Sequence, residues 1–422
     1  MRPITVAIAG CGSRGQDTYA KCLLKMPKRA QIVAVADINP EKLRAMQELC
    51  QLPDEMCFHS AEEMLDHGRL ADAMLICTPD RLHYSQALQA LQLDYHLLLE
   101  KPISSIEEEC RELSALAVER KRQVVVCHVL RYTVFYQKVK EIIESGILGD
   151  LASIQAMEQV CYWHQAHSFV RGNWRNTGLS SPMFLQKCCH DMDILLWLSG
   201  KHCMRVSSFG SLMHFKKENA PVGAKERCTD NCPAADTCLY NAVRIYMDRL
   251  HEDGYSWPVD VVTMEPTEEG IMKALRTGPY GRCVYHCDND VVDHQVVNLQ
   301  LDDDVTVNFT MCAFTAHGGR TLRIMCTHGE LIGDMKRNVI RVLPFGGKET
   351  EIDVNQLSDD FSGHGGGDAR MIDEFVSLIS GEGQPTRTLT SIERSVESHL
   401  IALAADRSRL SGGAAVDISC NC

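Results

Sequence analysis

"ITVAIAGCGSRG", residues 4–15, decides how the rest of the chain is read. Residues 4–9 form a short apolar, partly β-branched run, which reads as a buried strand. It stops at Gly10, Gly12 and Gly15, which stand in G-x-G-x-x-G spacing with Ser13 and Arg14 between the last two. "QDTYAKCLLKM" (16–26) then carries helical periodicity, and "AQIVAVADINP" (30–40) is a second strand ending in Asp37. The glycines alone are a weak sign. Strand, glycine turn, helix, strand and terminal acid in that order describe a dinucleotide site. The glycines let the backbone approach a pyrophosphate, the helix N-terminus supplies N–H groups and dipole, and Asp37 accepts from ribose hydroxyls. A carboxylate there repels a 2′-phosphate, so NAD is expected rather than NADP. Arg14 is a mild counter-signal. The competing reading is a glycine-rich turn in another α/β fold.

Outward from this unit the alternation continues. "EKLRAMQELCQ", "AEEMLDHG", "YSQALQALQL" and "SIEEECRELSALAVERK" read as helices, and "ADAMLICTPDRLH", "HLLLEKP" and "QVVVCHVLRY" as strands. Strands separated by helices mean βαβ units and a parallel sheet. Thr78, Pro79 and His83 fall just after one strand and are expected to line the cofactor cleft, although His83 equally suits a helix start. After about residue 125 the pattern changes. "LASIQAMEQV", "HQVVNLQLDDDVTVNFTMCAFT", "RTLRIMCTHGELIGDMKRNVIRVLP" and "KETEIDV" read as antiparallel strands and hairpins. The expected fold is therefore α/β: a doubly wound Rossmann domain over 1–125, then an α+β domain over 126–422 with a large, open, mostly antiparallel sheet. A Cys-rich insertion is expected at about 216–290, and "SGHGGGD" (362–368) reads as a mobile loop.

A chain of 422 residues buries a large core, and 45% hydrophobic with 23% charged residues is ordinary globular composition. The net charge of -13 argues against a nucleic-acid or anionic-membrane partner, which would need a basic face. Twenty scattered cysteines fit free thiols in a reducing cytoplasm. No signal-peptide anatomy and no apolar run long enough to span a membrane are read.

Two stretches carry chemistry. "DYHLLLEKPIS" (94–104) runs an apolar strand into Glu100 and Lys101 and stops at Pro102. A lysine is costly to desolvate, yet here it is presented at a strand's C-terminal end, where open α/β sheets bind ligands. "SPMFLQKCCHDMDILLWLSG" (181–200) reads as one helix ending at Gly200. Gln186, His190 and Asp193 recur on one face, with Lys187 beside it. The alternative is a polar network tying this helix to the sheet.

With "GCGSRG", "ADINP", "EKP", "HDMD", "SGILGDL" and "HVLRY" in order, the chain resembles the Gfo/Idh/MocA oxidoreductases along essentially its whole length. The resemblance implies an NAD(P)-dependent enzyme with a Rossmann domain and an open-sheet domain, acting on a sugar or polyol as a dimer or tetramer. It implies that Glu100 and Lys101 lie at the cofactor, with Lys101 beside the nicotinamide and its bond to Pro102 often cis. It implies that His190 accepts the proton, with Asp193 orienting it. One departure stands out: Gln186 occupies the position where many sugar dehydrogenases of the family carry Asp, and Lys187 is the candidate substitute.

Two further clusters remain. "CYWHQAHSFVRGNWRN" (161–176) reads as a loop in which Tyr162, His164, His167, Arg171, Trp174 and Arg175 can hold a substrate, or pack on a neighbouring subunit. Arg131, at the end of the "HVLRY" strand, can also reach it. In the insertion, Cys228, Cys232 and Cys238 are followed by Cys283 and Cys287, with His286 adjacent. These fit a structural zinc or iron–sulfur site, or packed free thiols. Three functions follow: an NAD-dependent dehydrogenase of a sugar, glycoside or polyol; an NAD-dependent redox glycosidase, with Tyr162, His164 and His167 as candidates for its second base; and a non-catalytic regulator. Retention of Lys101 and His190 argues against the last.

Overall fold

The computed structural model describes residues 2–419. Six strands form the first sheet: β1 (Ile4–Ala9), β2 (Ala30–Ala36), β3 (Cys57–Phe58), β4 (Ala73–Ile76), β5 (His96–Leu99) and β6 (Val124–Val126). All pairings are parallel and the order is β3-β2-β1-β4-β5-β6. This is the doubly wound Rossmann order, with the strand order reversing between β1 and β4. β4 is buried along its whole length, as a sheet covered on both faces requires. The helix Pro40–Cys50 illustrates the local logic. Asn39 caps it by accepting from the Glu41 and Lys42 amides, Pro40 opens it, and Gln51 ends it in the left-handed region.

The second sheet has nine strands: β7 (Leu151–Gln159), β8 (Cys203–Ser211), β9 (His294–Leu301), β10 (Thr306–Cys312), β11 (Gly319–Cys326), β12 (Gly329–Asp334), β13 (Val339–Pro344), β14 (Thr350–Asp353) and β15 (Val416–Asp417). Their order is β14-β13-β12-β11-β7-β10-β9-β8-β15, and only β7 and β10 pair in parallel. Alternate residues of β10 and β12 are buried, so one face is packed and the other open. The long helices Met183–Ser199 and Ile392–Leu410 contribute to the core under the packed face.

The chain then returns to the first sheet. Met371, Ile372, Phe375 and Val376 of the helix Gly367–Ser380 lie in one of its cores, and Ile392, Val396 and Leu400 in the other. Farther along the helix Ile392–Leu410, Ile401 to Ala405 belong to the core of the second sheet. No helix is long and apolar enough to cross a membrane among the described residues.

Two expectations are corrected, and a third stretch is located. The "QVVVCHVLRY" strand stops at Val126, and Val129–Tyr132 is a 3₁₀ turn. Val126 pairs with Leu99, the last residue of β5, so beyond it no ladder remains to join. "YWHQAHSFVR" is helical, not a loop: Tyr162–His164 is an α turn and Gln165–Arg171 is π-wound, with Ala166, Phe169 and Val170 buried. "SGHGGGD" forms the turn Ser362–Gly365 and opens the helix Gly367–Ser380, where Asp368 is buried.

Candidate active site

The glycine turn lies at the C-terminal end of β1. Gly10 has φ +93°, and a Cβ there would stand 2.6 Å from the Cys77 carbonyl oxygen. A Cβ on Gly15 would fall 1.9 Å from the Gly10 carbonyl oxygen, so the following helix can pack this closely only with glycine. A Cβ on Gly12 would meet nothing within 4 Å, which leaves the space that a pyrophosphate needs. The helix begins at Ser13 with Gly12 as its N-cap and is π-wound to Ala20. Asp37 closes the other side: its carboxylate accepts from the Cys11 and Asn39 amides, each at 2.7 Å. An N-terminal helix end, an open glycine and a ribose-distance acid together fit a dinucleotide.

Arg14 and Glu100 serve this turn from within. Arg14 pairs with Glu100 at 2.6 Å and Asp368 at 2.7 Å, and Tyr19 bonds to both Arg14 and Glu100. Burial pushes the Glu100 carboxyl up, but Arg14, Lys101 and the donated hydrogen bonds hold it below the ordinary carboxylate value. Arg14 is thus answered by two carboxylates, and Glu100 is held by Arg14 and Tyr19 beside the glycine turn. His83 is buried, its ring nitrogens lying 2.7 Å from the Pro102 and Thr78 carbonyl oxygens. Thr78 donates to Gln86 at 2.6 Å, and Pro79 caps the short 3₁₀ turn Asp80–Leu82.

Lys101 follows β5, and its peptide bond to Pro102 is cis. Its ammonium donates to the Gln186 carbonyl oxygen at 2.8 Å, which places it against the first turn of the helix Met183–Ser199. One turn on, His190 Nδ1 stands 3.4 Å from Nδ1 of the buried His128. Behind them, His128 Nε2 lies 3.4 Å from Ser398 Oγ, which lies 3.3 Å from His399 Nδ1, and His399 Nε2 accepts from the Ile103 amide at 2.9 Å. The chain of contacts thus runs from His190 back to the segment that carries Lys101. Burial, then the Lys101 charge, holds His190 well below the ordinary histidine value. His190 is therefore a neutral imidazole beside an ammonium, able to take a proton while the ammonium stabilises developing negative charge on oxygen.

Asp193 does not orient His190. It is fully buried and bound bidentately by Arg131 at 2.6 and 2.7 Å, so neither residue faces the cleft. Lys187 pairs with Glu158 at 3.2 Å, and Arg320 bridges Glu158 at 2.9 Å and Asp191 at 2.7 Å. His164 is half-buried, its ring 4.8 Å from that of Trp257. Burial, then Lys187, holds it well below the ordinary histidine value. Tyr162, half-buried, adjoins it.

The rest of that segment faces elsewhere. His167 is buried, lies 2.9 Å from the Tyr246 hydroxyl and stacks on Tyr280. Arg171 is buried against the carbonyl oxygens of Arg282 and Tyr240. Arg175 pairs with Asp288, and Trp174 donates to Asp80 at 3.2 Å, joining this segment to the loop after β4. Lys101 and His190 thus meet on the same helix one turn apart, with Lys187 beside Gln186; His164 and His167 share Trp257, and Arg131, Asp193, Arg171 and Arg175 are engaged elsewhere. His128, Glu158 and Arg320 were missed. The signal for His128 was its place just past the C-terminal end of β6.

A family model described as an oxidoreductase family with an NAD-binding Rossmann fold matches residues 4–128, and its companion for a C-terminal alpha/beta domain matches residues 140–416. The chain belongs to the Gfo/Idh/MocA family. It is an NAD-dependent oxidoreductase of that family. It is 21% identical to YteT of Bacillus subtilis (strain 168) over 388 residues, 88% of each chain. It is 26% identical to an inositol 2-dehydrogenase of Pseudarthrobacter chlorophenolicus over 288 residues, 66% of this chain and 76% of the relative. The fold is that of an inositol dehydrogenase homolog from Azotobacter vinelandii complexed with NAD+ (TM-score 0.71, 15% identity, 99% of this chain and 98% of that one). It is also that of the WlbA dehydrogenase from Bordetella pertussis in complex with NADH and UDP-GlcNAcA (TM-score 0.70, 18% identity, 100% and 99%). Gly12, the helix opening at Ser13 and Asp37 are the residues of this Gfo/Idh/MocA chain that would hold the pyrophosphate and ribose.

Proposed function

We propose that the chain oxidises or reduces a secondary alcohol of a sugar, glycoside or polyol. The observation that carries this reading is the placing of Lys101 and His190 at the first turns of one helix, joined behind by His128, Ser398 and His399. The bound nicotinamide accepts or returns the hydride. The residues do the rest. Lys101 holds the reacting oxygen and stabilises the negative charge that grows on it. His190 takes the hydroxyl proton and returns it in the reverse direction. The inositol dehydrogenases among its relatives support a polyhydroxylated substrate. A cytoplasmic homodimer or homotetramer belongs to the same reading, supported by free thiols and the open face of the nine-stranded sheet.

One observation favours a second reading. His164 is a second half-buried histidine, next to Tyr162 and with its ring 4.8 Å from that of Trp257, and burial, then Lys187, holds it below the ordinary histidine value; a redox glycosidase needs such a base to remove a proton beside a transient ketone. A single assay separates the two. Purified protein with NAD is offered sugars, polyols and aryl glycosides while nicotinamide absorbance and aglycone release are followed together. NADH that accumulates with wild type and not with Lys101→Met supports the dehydrogenase. NAD-dependent aglycone release without accumulating NADH overturns it in favour of the glycosidase.

A further inference from the structure

The cysteines of the insertion are free thiols, and among the described residues no three His, Cys, Asp or Glu side chains are placed to hold one metal ion. The polar chain behind His190 carries more. His128, Ser395, Ser398 and His399 are all fully buried. Sealed from bulk water, each donor must find its acceptor inside the protein, and that requirement fixes where the protons sit.

The direction of the chain is set at its far end. The Ile103 backbone N–H can only donate, so His399 Nε2, 2.9 Å away, accepts. Burial holds His399 neutral, its pKa pulled down to about 3, so its one ring proton is on Nδ1. That nitrogen lies 2.9 Å from the Ser395 carbonyl oxygen, which can only accept. The Ser398 hydroxyl also donates to the Ser395 carbonyl, at 2.8 Å, a back-bond of the kind helical serines make. Its single proton is then committed. Toward His128 Nε2, at 3.4 Å, Ser398 Oγ can only accept, so His128 carries its proton on Nε2. His128 is neutral too, held well below the ordinary histidine value by burial, then by Arg131 and Lys101. Its Nδ1 is left with a bare lone pair. Facing it at 3.4 Å is His190 Nδ1, which must donate. The reverse polarity would need Ser398 to exchange its 2.8 Å bond to a carbonyl for one of 3.4 Å to an imidazole.

We propose that His128 is a positioning residue that holds His190 as its Nδ1–H tautomer, so that Nε2 is the nitrogen that takes the substrate's hydroxyl proton. A neutral histidine has one bare nitrogen, and the hydrogen bond made by the other decides which. Ser398 and His399 act through His128 and supply the polarity. Its source is the Ile103 amide, two residues after Lys101, so one segment presents the ammonium and sets the proton of the base. This inference rests on His190 being the base of the proposed reaction.

Full-length protein labelled with nitrogen-15 in its histidine rings, with NAD bound, is measured by long-range proton–nitrogen correlation, and the His190→Gln spectrum assigns the His190 signals. Wild type is expected to show His190 protonated on Nδ1 and bare on Nε2, with the opposite on His128. His128→Phe, which offers no acceptor, is expected to lower the Nδ1–H fraction of His190 from about nine-tenths to under about half. His128→Asn, whose Oδ1 accepts in place of the ring nitrogen, is expected to keep it. With whichever alcohol of the panel reduces NAD, kcat should fall at least about tenfold in His128→Phe, with KM and NADH affinity within about twofold, and recover in His128→Asn. His190 protonated on Nε2 in wild type, or a tautomer indifferent to His128→Phe, overturns the inference. Should His128→Phe fail to fold, the wild-type spectrum decides. A panel that yields no NADH overturns the dehydrogenase reading, and the tautomer measurement still decides this inference.

Discussion

Lys101 and His190 are prepared differently for one task. The lysine donates to a helix carbonyl, and burial, then the nearby Lys101 charge, holds the histidine well below its ordinary value. Removing the ammonium with Lys101→Met should lower kcat about 10²- to 10³-fold, as for loss of one donor to a developing oxyanion, while NADH affinity by fluorescence stays within about twofold. His190 must be neutral to act, and its pKa is depressed, so activity is present at high pH and is lost as pH falls through the depressed value. The acid limb of kcat/KM should therefore lie below the ordinary histidine value of about 6.5; a limb at or above it contradicts the role. Asp37→Ser should narrow the NAD over NADP preference about tenfold, because one charge opposite the 2′-phosphate is removed; kcat/KM with each cofactor measures it. Both Lys101 and His190 were legible as candidates because a chemically costly residue stood at a strand end or on a helix face. His128 carried a signal in its place just past β6, whereas Glu158 and Arg320 did not, because each is a single polar residue on a strand that only tertiary packing pairs with Lys187 and Asp191.

At the scale of elements, the helix Met183–Ser199 was readable end to end from its apolar content and Gly200, which adopts φ +66°. Periodicity placed Gln186, His190 and Asp193 on one face, but a helix buried nearly all round meets different neighbours within that face. His190 meets His128, and Asp193 meets Arg131. That ion pair pins the helix to the turn Val129–Tyr132. Arg131→Met alone leaves a buried carboxylate unanswered and should cost about 3–5 kcal/mol, while Arg131→Met with Asp193→Leu should recover most of it; urea unfolding of the three variants decides. The π-wound segment Gln165–Arg171 was illegible for a different reason. Its winding matches neither helical nor strand period, and His167, Ser168, Phe169 and Val170 are indifferent helix formers.

At the scale of the molecule, the change from alternating strands and helices to long antiparallel strands was plain in the sequence. The return of the chain to the first sheet was not, since nothing local in Gly367–Ser380 or Ile392–Leu410 names the layer it will cover. The helix Ile392–Leu410 belongs to both cores, so Leu400→Ala should cost about 2–5 kcal/mol and lower one shared calorimetric transition rather than split it in two. The same route of the chain bears on how the protein is made. N-terminal domains usually fold first as they leave the ribosome. Here the sheet of residues 4–126 lacks the side chains of Met371, Phe375, Ile392 and Leu400 until they are synthesised. The nascent nucleotide-binding half therefore completes its two cores only once translation has passed residue 400.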